Sequence, residues 1–444
     1  MKALHTKATL AVSLLAIGAS LFAQPVPHHF GGITKLADGT VALRLDGSVS
    51  KMFNLTGTIS NQFMQMFDLY AVEASRNLTD WEPLAWVLRT NDNPSPLIVA
   101  DTNAPSLPQR FYRTFTNHLL TAFPKPSGPF TVGTVDRVMM DPTRTDLYRY
   151  SPPTNTFMVT FWYPADPPPA GILPASAWDQ RLAADASLVS WGGYDPRWTQ
   201  ISPKLVGHRF RGLPLAAGTN KYPVILVSHG LPAWRKAGSH NAEELASHGY
   251  VVVAIDHSDC WATEFPDGRY LPGNLSGDVS GRLKDMTFLL NNLAELNAGD
   301  PLFAGRLDLD HIGVEGGSYG GMVVKTCADD TRVKCALLFD AMNIQSLCPD
   351  GLQKPFLVAL GESNYFYSED LWLFNKAVTN AVFLQLRGAG HRTPSDVGLA
   401  AELPGGRPPT LAMDACRVWF FDTYLKGQAP PFPTNAEIYN VHSK

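Results

Sequence analysis

The run His311-Ile-Gly-Val-Glu, the turn Gly316-Gly317-Ser318-Tyr319-Gly320 and the following Met322-Val-Val-Lys-Thr constrain this chain more than any other stretch. They read as strand, sharp turn and helix start. A G-x-S-x-G turn in that context lifts the serine hydroxyl above the end of a sheet. Glycines on both sides let neighbouring backbone pass without a Cβ clash. The helix start behind the turn adds positive partial charge where an oxyanion would form.

The surrounding sequence has the same character. Tyr222-Pro-Val-Ile-Leu-Val-Ser and Tyr250-Val-Val-Val-Ala-Ile are short apolar runs that suit buried parallel strands. Leu283, Met286, Leu290, Leu293 and Leu296 repeat at helical spacing before the serine strand. Further strands are expected at Phe157-Met-Val-Thr-Phe-Trp-Tyr, Cys335-Ala-Leu-Leu-Phe, Pro355-Phe-Leu-Val-Ala-Leu and Val382-Phe-Leu-Gln-Leu. A closing helix from about Leu411 to Leu425 ends at Lys426-Gly427. This alternation predicts an α/β-hydrolase fold, a mostly parallel sheet flanked by helices, over residues 129–428. Residues 429–444 read as a C-terminal tail.

At 444 residues the chain has room for a second unit. Residues 30–118 carry alternating β-prone runs such as Val41-Ala-Leu-Arg-Leu, with turn signals at Asp38-Gly39 and Asn91-Asp-Asn-Pro-Ser-Pro. They predict a small β-sandwich, joined by a Pro/Gly-rich linker at 119–128. Residues 1–23 read as an export signal: Lys2 and Lys7 precede an apolar run that ends at Ala23. That run is shorter than the roughly 20 residues that span a bilayer, so a secreted or periplasmic chain with no transmembrane segment is expected. A membrane anchor is the competing reading. The formal net charge of −4, without a long basic run, argues against nucleic acid as a partner.

A serine nucleophile needs a base, and the base needs an acid to orient it. In this fold the chain order is serine, acid, histidine. His311 lies at the far end of the serine strand and His442 near the chain end, which leaves His391 in Gly388-Ala-Gly-His-Arg-Thr. Two acids compete, Asp340 after one strand and Glu362 after the next. The turn Gly361-Glu-Ser-Asn364 has an amide where many relatives of the fold place a carboxylate, which favours Asp340. The loop Val227-Ser-His229-Gly230-Leu231-Pro232 offers the Leu231 N–H as one oxyanion donor, beside the Tyr319 N–H; Pro232 has none to give. His229 reads as a residue that orders this loop. Glu315, an acid at an apolar strand end, needs a partner the sequence does not reveal.

The run Ser228-His-Gly-Leu, then Glu243-Glu-Leu-Ala-Ser-His-Gly-Tyr-Val-Val-Val-Ala-Ile-Asp-His, resembles the platelet-activating-factor acetylhydrolase family. So do Gly128-Pro-Phe-Thr-Val-Gly, Phe161-Trp-Tyr-Pro and Leu338-Phe-Asp340-Ala, in the same order over about 128–428. The resemblance implies Ser318 as nucleophile, Asp340 as acid, His391 as base, and Leu231 and Tyr319 as oxyanion donors. It also implies calcium-independent hydrolysis of short or oxidised acyl esters of phospholipids, with no cofactor. One departure is Gly317, where the family usually has His; the change loosens packing beside the nucleophile. Separately, Val72-Glu-Ala-Ser-Arg-Asn-Leu-Thr-Asp-Trp-Glu-Pro-Leu resembles accessory β modules of secreted bacterial proteins, for which surface or polymer attachment is an expected role.

Other readings stay open on sequence. A polyester- or cutinase-like hydrolase or a lactonase would share the chemistry, and an inactive binding or adhesion protein would share the fold. Trp234, Trp261 and Phe366 are candidates to line an apolar cleft, as are Trp191, Trp198, Tyr365 and Tyr367. The Pro-, Trp- and Gly-rich segment between Ala165 and Tyr222 is a candidate lid. Cys327 and Cys335 are spaced to bridge a helix end to the next strand, though five cysteines leave one unpaired. No HExxH or His/Cys cluster points to a metal.

Overall fold

A computed structural model describes residues 29–46, 68–76, 78, 81–89, 97–101, 104–106, 109–115, 123, 125–144, 155–169, 172–188, 205–362, 367–378, 380–393, 395–396 and 407–444. The export signal at 1–23, Trp191, Trp198, Asn364, Tyr365, Phe366 and the middle of the candidate lid lie outside them. The chain divides into two compact units, Met1–His118 and Leu119–Lys444.

The first unit contains two antiparallel three-stranded sheets. One orders β1 (His29–Lys35), β2 (Val41–Asp46) and β5 (Leu97–Asp101). The other orders β4 (Trp81–Arg89), β3 (Asp68–Ser75) and β6 (Phe111–Phe115). Leu43 and Val99 of the first pack with Val72 of the second, which gives the unit a core of its own. Buried Asp101 accepts from Arg110 Nε at 2.8 Å and Tyr112 Oη at 3.1 Å. A buried carboxylate without such partners would carry an uncompensated desolvation cost.

The second unit is built on a ten-stranded, mostly parallel sheet. Its strands are β7 (Thr131–Met140), β8 (Thr156–Ala165), β9 (Arg209–Arg211), β10 (Tyr222–Ser228), β11 (Val251–Ile255), β14 (Leu307–Gly317), β15 (Val333–Phe339), β16 (Phe356–Gly361), β17 (Ala381–Leu386) and β18 (Ile438–Ser443). A two-stranded hairpin of β12 (Ala262–Glu264) and β13 (Tyr270–Pro272) stands apart from it. The sheet order is β18-β17-β16-β15-β14-β10-β11-β8-β7-β9. Strands β11, β10, β14, β15, β16 and β17 run parallel, while β7, β8 and β18 add antiparallel pairings. Every residue of β11 and β16 is buried, as expected of strands covered on both faces.

Helices cover the sheet from both sides. Helix Val279–Gly299 packs Met286, Leu289, Leu290 and Leu293 onto one face, and the Asp278 side chain caps it by accepting from Gly281 N at 2.9 Å. Helices Ser239–Ser247 and Arg407–Lys426 cover the other face through Leu245, Ala246, Met413, Phe420 and Phe421. The long helix stops at Gly427, whose φ of 63° favours a residue without a Cβ.

Two sequence expectations are corrected here. Residues 429–444 are not a free tail: β18 pairs antiparallel with β17, His442 opposite Phe383, and closes one edge of the sheet. A long-range pairing of this kind has no local signature. Cys327 and Cys335 form no bridge, and all five cysteines are free and buried.

The fold also supplies the missing partner of Glu315. Arg417, fully buried on helix Arg407–Lys426, donates from Nε to Glu315 Oε1 at 2.8 Å and from Nη1 to Asp414. Burial pushes the Asp414 carboxyl up to about 6, against the pull of Arg417. Replacing Arg417 by Met strands two carboxylates and is expected to cost about 3–5 kcal/mol of stability at pH 8. Asp414 binds its proton more tightly folded than unfolded, so its contribution falls as pH rises from about 4 to about 6. The loss in Arg417→Met is therefore smaller at pH 5. Urea midpoints that match wild type at pH 8 would show that the pair does not hold the helix to the sheet.

Candidate active site

Ser318 follows β14 directly, in a left-handed conformation with φ 54°. A side chain at Gly316 would collide with the Gly320 backbone, and one at Gly320 with the Ser228 carbonyl. The turn is thus tight enough to force its residue types, and the strained φ of Ser318 persists because both neighbours over-determine it. The half-buried Ser318 hydroxyl points at Met342 Sδ, 3.7 Å away, a weak acceptor that holds it loosely.

Asp340 stands one residue beyond β15, with φ 43° and no exposure to solvent. Its Oδ1 accepts from Gly361 N at 3.0 Å, and its Oδ2 lies 3.1 Å from His391 Nδ1. Of the two acids weighed from sequence, Asp340 meets the ring; Glu362 is exposed and accepts from Gly388 N at 2.9 Å. The His391 loop is tied down by buried Asp396, which accepts from Trp178 Nε1 and His240 N at 3.0 Å each and whose own N–H donates to Ala237 O at 2.7 Å. Ser318 and His391 line the same cavity, of about 210 Å³, together with Gly230, Leu231 and Trp234.

The Leu231 loop is held from below by one arginine. Arg282 donates from Nη1 to His229 O, pairs with Asp259 at 2.8 Å, and lies 5.0 Å over the Tyr319 ring. One buried guanidinium therefore touches both the backbone of the Leu231 loop and the Tyr319 side chain. His229 Nε2 accepts from His257 N at 3.2 Å, so its Nδ1 carries the proton toward Gly230 O at 2.7 Å. Burial and then the Arg282 charge hold His229 well below the usual histidine range. It is a neutral brace of the loop.

A second serine–histidine–aspartate chain lies under this loop. Ser228 Oγ is 2.9 Å from His257 Nε2, and His257 Nδ1 is 2.6 Å from Asp285 Oδ2, with Arg144 on the other oxygen. No sequence spacing announces it; the fold alone brings β10, β11 and helix Val279–Gly299 together here. All three residues are buried, and burial keeps the His257 ring neutral by holding its pKa well below the usual range. Burial likewise raises Asp285 to about 7. Ser228 sits on ordinary strand, not on a strained turn, and its order of serine, histidine, acid is not that of the fold. The geometry suits a rigid support under Leu231.

The remaining sequence candidates separate. Trp234 lines the cavity and stacks edge-on against Trp178 at 5.5 Å. Trp261 is not among the described residues that line it; its Nε1 donates to Asp185 Oδ2 at 3.2 Å. Phe366 lies outside the described residues. Among the described residues no group of three or more His, Cys, Asp or Glu side chains is arranged to hold a metal ion, and no helix is long and apolar enough to cross a membrane.

Comparison with known proteins gives a consistent picture. The family model described as "Platelet-activating factor acetylhydrolase, isoform II" matches residues 116–267, a stretch that includes the Leu231 loop and stops before Ser318. The platelet-activating factor acetylhydrolase of Cavia porcellus is 27% identical over 255 residues, 50% of this chain and 55% of that protein. That of Canis lupus familiaris is 27% identical over 251 residues, 46% and 56% of the two chains. The chain thus spans about half the length of these curated relatives. The solved structure of a ferulic acid esterase from Streptomyces cinnamoneus aligns with a TM-score of 0.57 and 25% identity, covering 71% of this chain and 97% of that one. The chain is an α/β-hydrolase with the architecture of an esterase, and its similarities support a carboxylic ester hydrolase.

Proposed function

We propose that the chain is a secreted serine carboxylic-ester hydrolase that works through an acyl-enzyme on short-acyl lipid or phospholipid esters. The observation that carries this reading is Ser318 on a strained turn, sharing a cavity with His391, whose Nδ1 meets the buried Asp340 carboxylate. His391 takes the Ser318 proton as the hydroxyl attacks the ester carbonyl. Asp340 holds the ring so that Nε2 faces the serine and stabilises the imidazolium that forms. Leu231 N–H and Tyr319 N–H receive the oxyanion. His391 then protonates the departing alcohol and activates the water that releases the acid. The matched relatives carry the acetylhydrolase name, which supports the short-acyl lipid substrate.

The test pairs turnover with labelling. Purified protein should hydrolyse p-nitrophenyl acetate and butyrate and a glycerophospholipid with a short sn-2 acyl chain. A fluorophosphonate should label one serine, in the peptide that contains Ser318. Labelling elsewhere, or no turnover on any ester, would sink the reading and favour an inactive binding protein.

A further inference from the structure

Four glycines surround Ser318, and three of them are dictated by sterics. Side chains at Gly316, Gly320 and Gly321 would run into Gly320, Ser228 and Ala341 respectively. Gly317 is different. Its φ of −115° and ψ of 151° are ordinary extended backbone, open to any residue. A Cβ built there would meet Phe339 O at 3.4 Å and Phe339 Cβ at 3.9 Å, ordinary contacts, and otherwise open space among the described residues. Neither backbone conformation nor close packing asks for a glycine at this position.

What the missing side chain leaves is the cavity itself. Gly317 and Phe339 line it beside Ser318, and its inner wall is Trp162, Ala242, Leu245 and Ala254, between the sheet and helix Ser239–Ser247. Ala242 and Ala254 leave room at that wall where larger side chains would fill it. The acid on the wall, Glu315, is held by Arg417, so the space presents mainly apolar surface. A dry cavity of roughly 150 Å³ is enough to take a benzene molecule. About 210 Å³ at the nucleophile therefore exceeds what an acetyl group fills.

We propose that this cavity is the acyl pocket and that Gly317 sets its depth, so that the enzyme prefers apolar acyl groups of about six to eight carbons. The inference rests on the Ser318 esterase reading and names the substrate class for that site. The ester's acyl chain enters beside Ser318, passes the bare Gly317 backbone and ends against Trp162 and Leu245. Each methylene buried there raises kcat/KM about fourfold.

The experiment is a p-nitrophenyl ester series, acetate, butyrate, hexanoate, octanoate and decanoate, on wild type, Gly317→Ala, Gly317→Val and Gly317→Leu. Wild type should favour hexanoate over acetate by roughly two hundredfold in kcat/KM. The three variants should move the best substrate stepwise to shorter chains, and Ala254→Leu, on β11 of the same sheet face, should shift it the same way. A flat wild-type profile overturns the proposal without any variant. A series in which the hexanoate-to-acetate ratio is the same in wild type, Gly317→Ala and Ala254→Leu overturns it as well. Absence of Ser318-dependent turnover on every ester, acetate included, would instead strike the esterase reading itself.

Discussion

Replacing Ser318 by alanine is expected to lower kcat on p-nitrophenyl butyrate by roughly 10⁵–10⁶-fold, down to what oxyanion donors and binding can do alone. The size follows from the reaction: without the hydroxyl no acyl-enzyme forms, and the remaining route is direct attack by water. The informative comparison is Ser228→Ala. That substitution removes one hydrogen bond to a neutral, buried His257, an interaction worth about 1 kcal/mol net. Its effect should stay within about tenfold, through a looser Leu231 loop. Steady-state kinetics on both variants separate two chains of the same residue types that differ in the backbone strain and burial of their serines. A dead Ser228→Ala enzyme beside an active Ser318→Ala one would exchange their roles.

Asp340→Asn is expected to cost about 10⁴ in kcat with little change in KM. The amide oxygen can still accept from Gly361 N–H, so the fold is kept. The amide nitrogen then faces His391 Nδ1 as a donor, which forces the ring into the tautomer that carries its proton on Nε2. In that state the imidazole cannot take the serine proton. Glu362→Gln changes an exposed acid that accepts from the Gly388 amide, and should alter kcat by no more than a few-fold. Equal losses in the two variants would mean that Asp340 is a structural acid and that the choice between them fails.

How much of this could be read from residues alone depends on how local each feature is. The Ser318 turn was legible because its residue pattern is contiguous; Gly316 is forced by the Gly320 backbone within the same turn, while the Ser228 carbonyl that forces Gly320 comes from another strand. The helix Val279–Gly299 was legible from its period, since Met286, Leu290 and Leu293 do face the sheet. His391 could be singled out only by elimination, and Asp340 only by weighing it against Glu362. Features that depend on distant strands gave no signal. Arg282 is one arginine among many in the sequence, yet it braces the Leu231 loop and Tyr319 together. Glu315 could be recognised as needing a partner, while Arg417, 102 positions away, could not be named. The antiparallel β18 was hidden for the same reason: its mostly exposed residues follow a Pro-rich connection and pair only once β17 exists.

The five cysteines carry a practical consequence. Each thiol is free and buried, and burial raises each above its ordinary range, so little reactive thiolate is available in the folded chain. Helix Val323–Asp329, strand β15 and helix Arg407–Lys426 hold Cys327, Cys335 and Cys416, Cys260 and Cys348 lie in connections, and together the five are buried on both faces of the sheet. A reductant is therefore expected to leave the thermal unfolding midpoint unchanged. The same burial turns the thiols into an internal clock: at alkylating-reagent concentrations that outpace reclosing, the labelling rate reads the opening of the hydrolase unit.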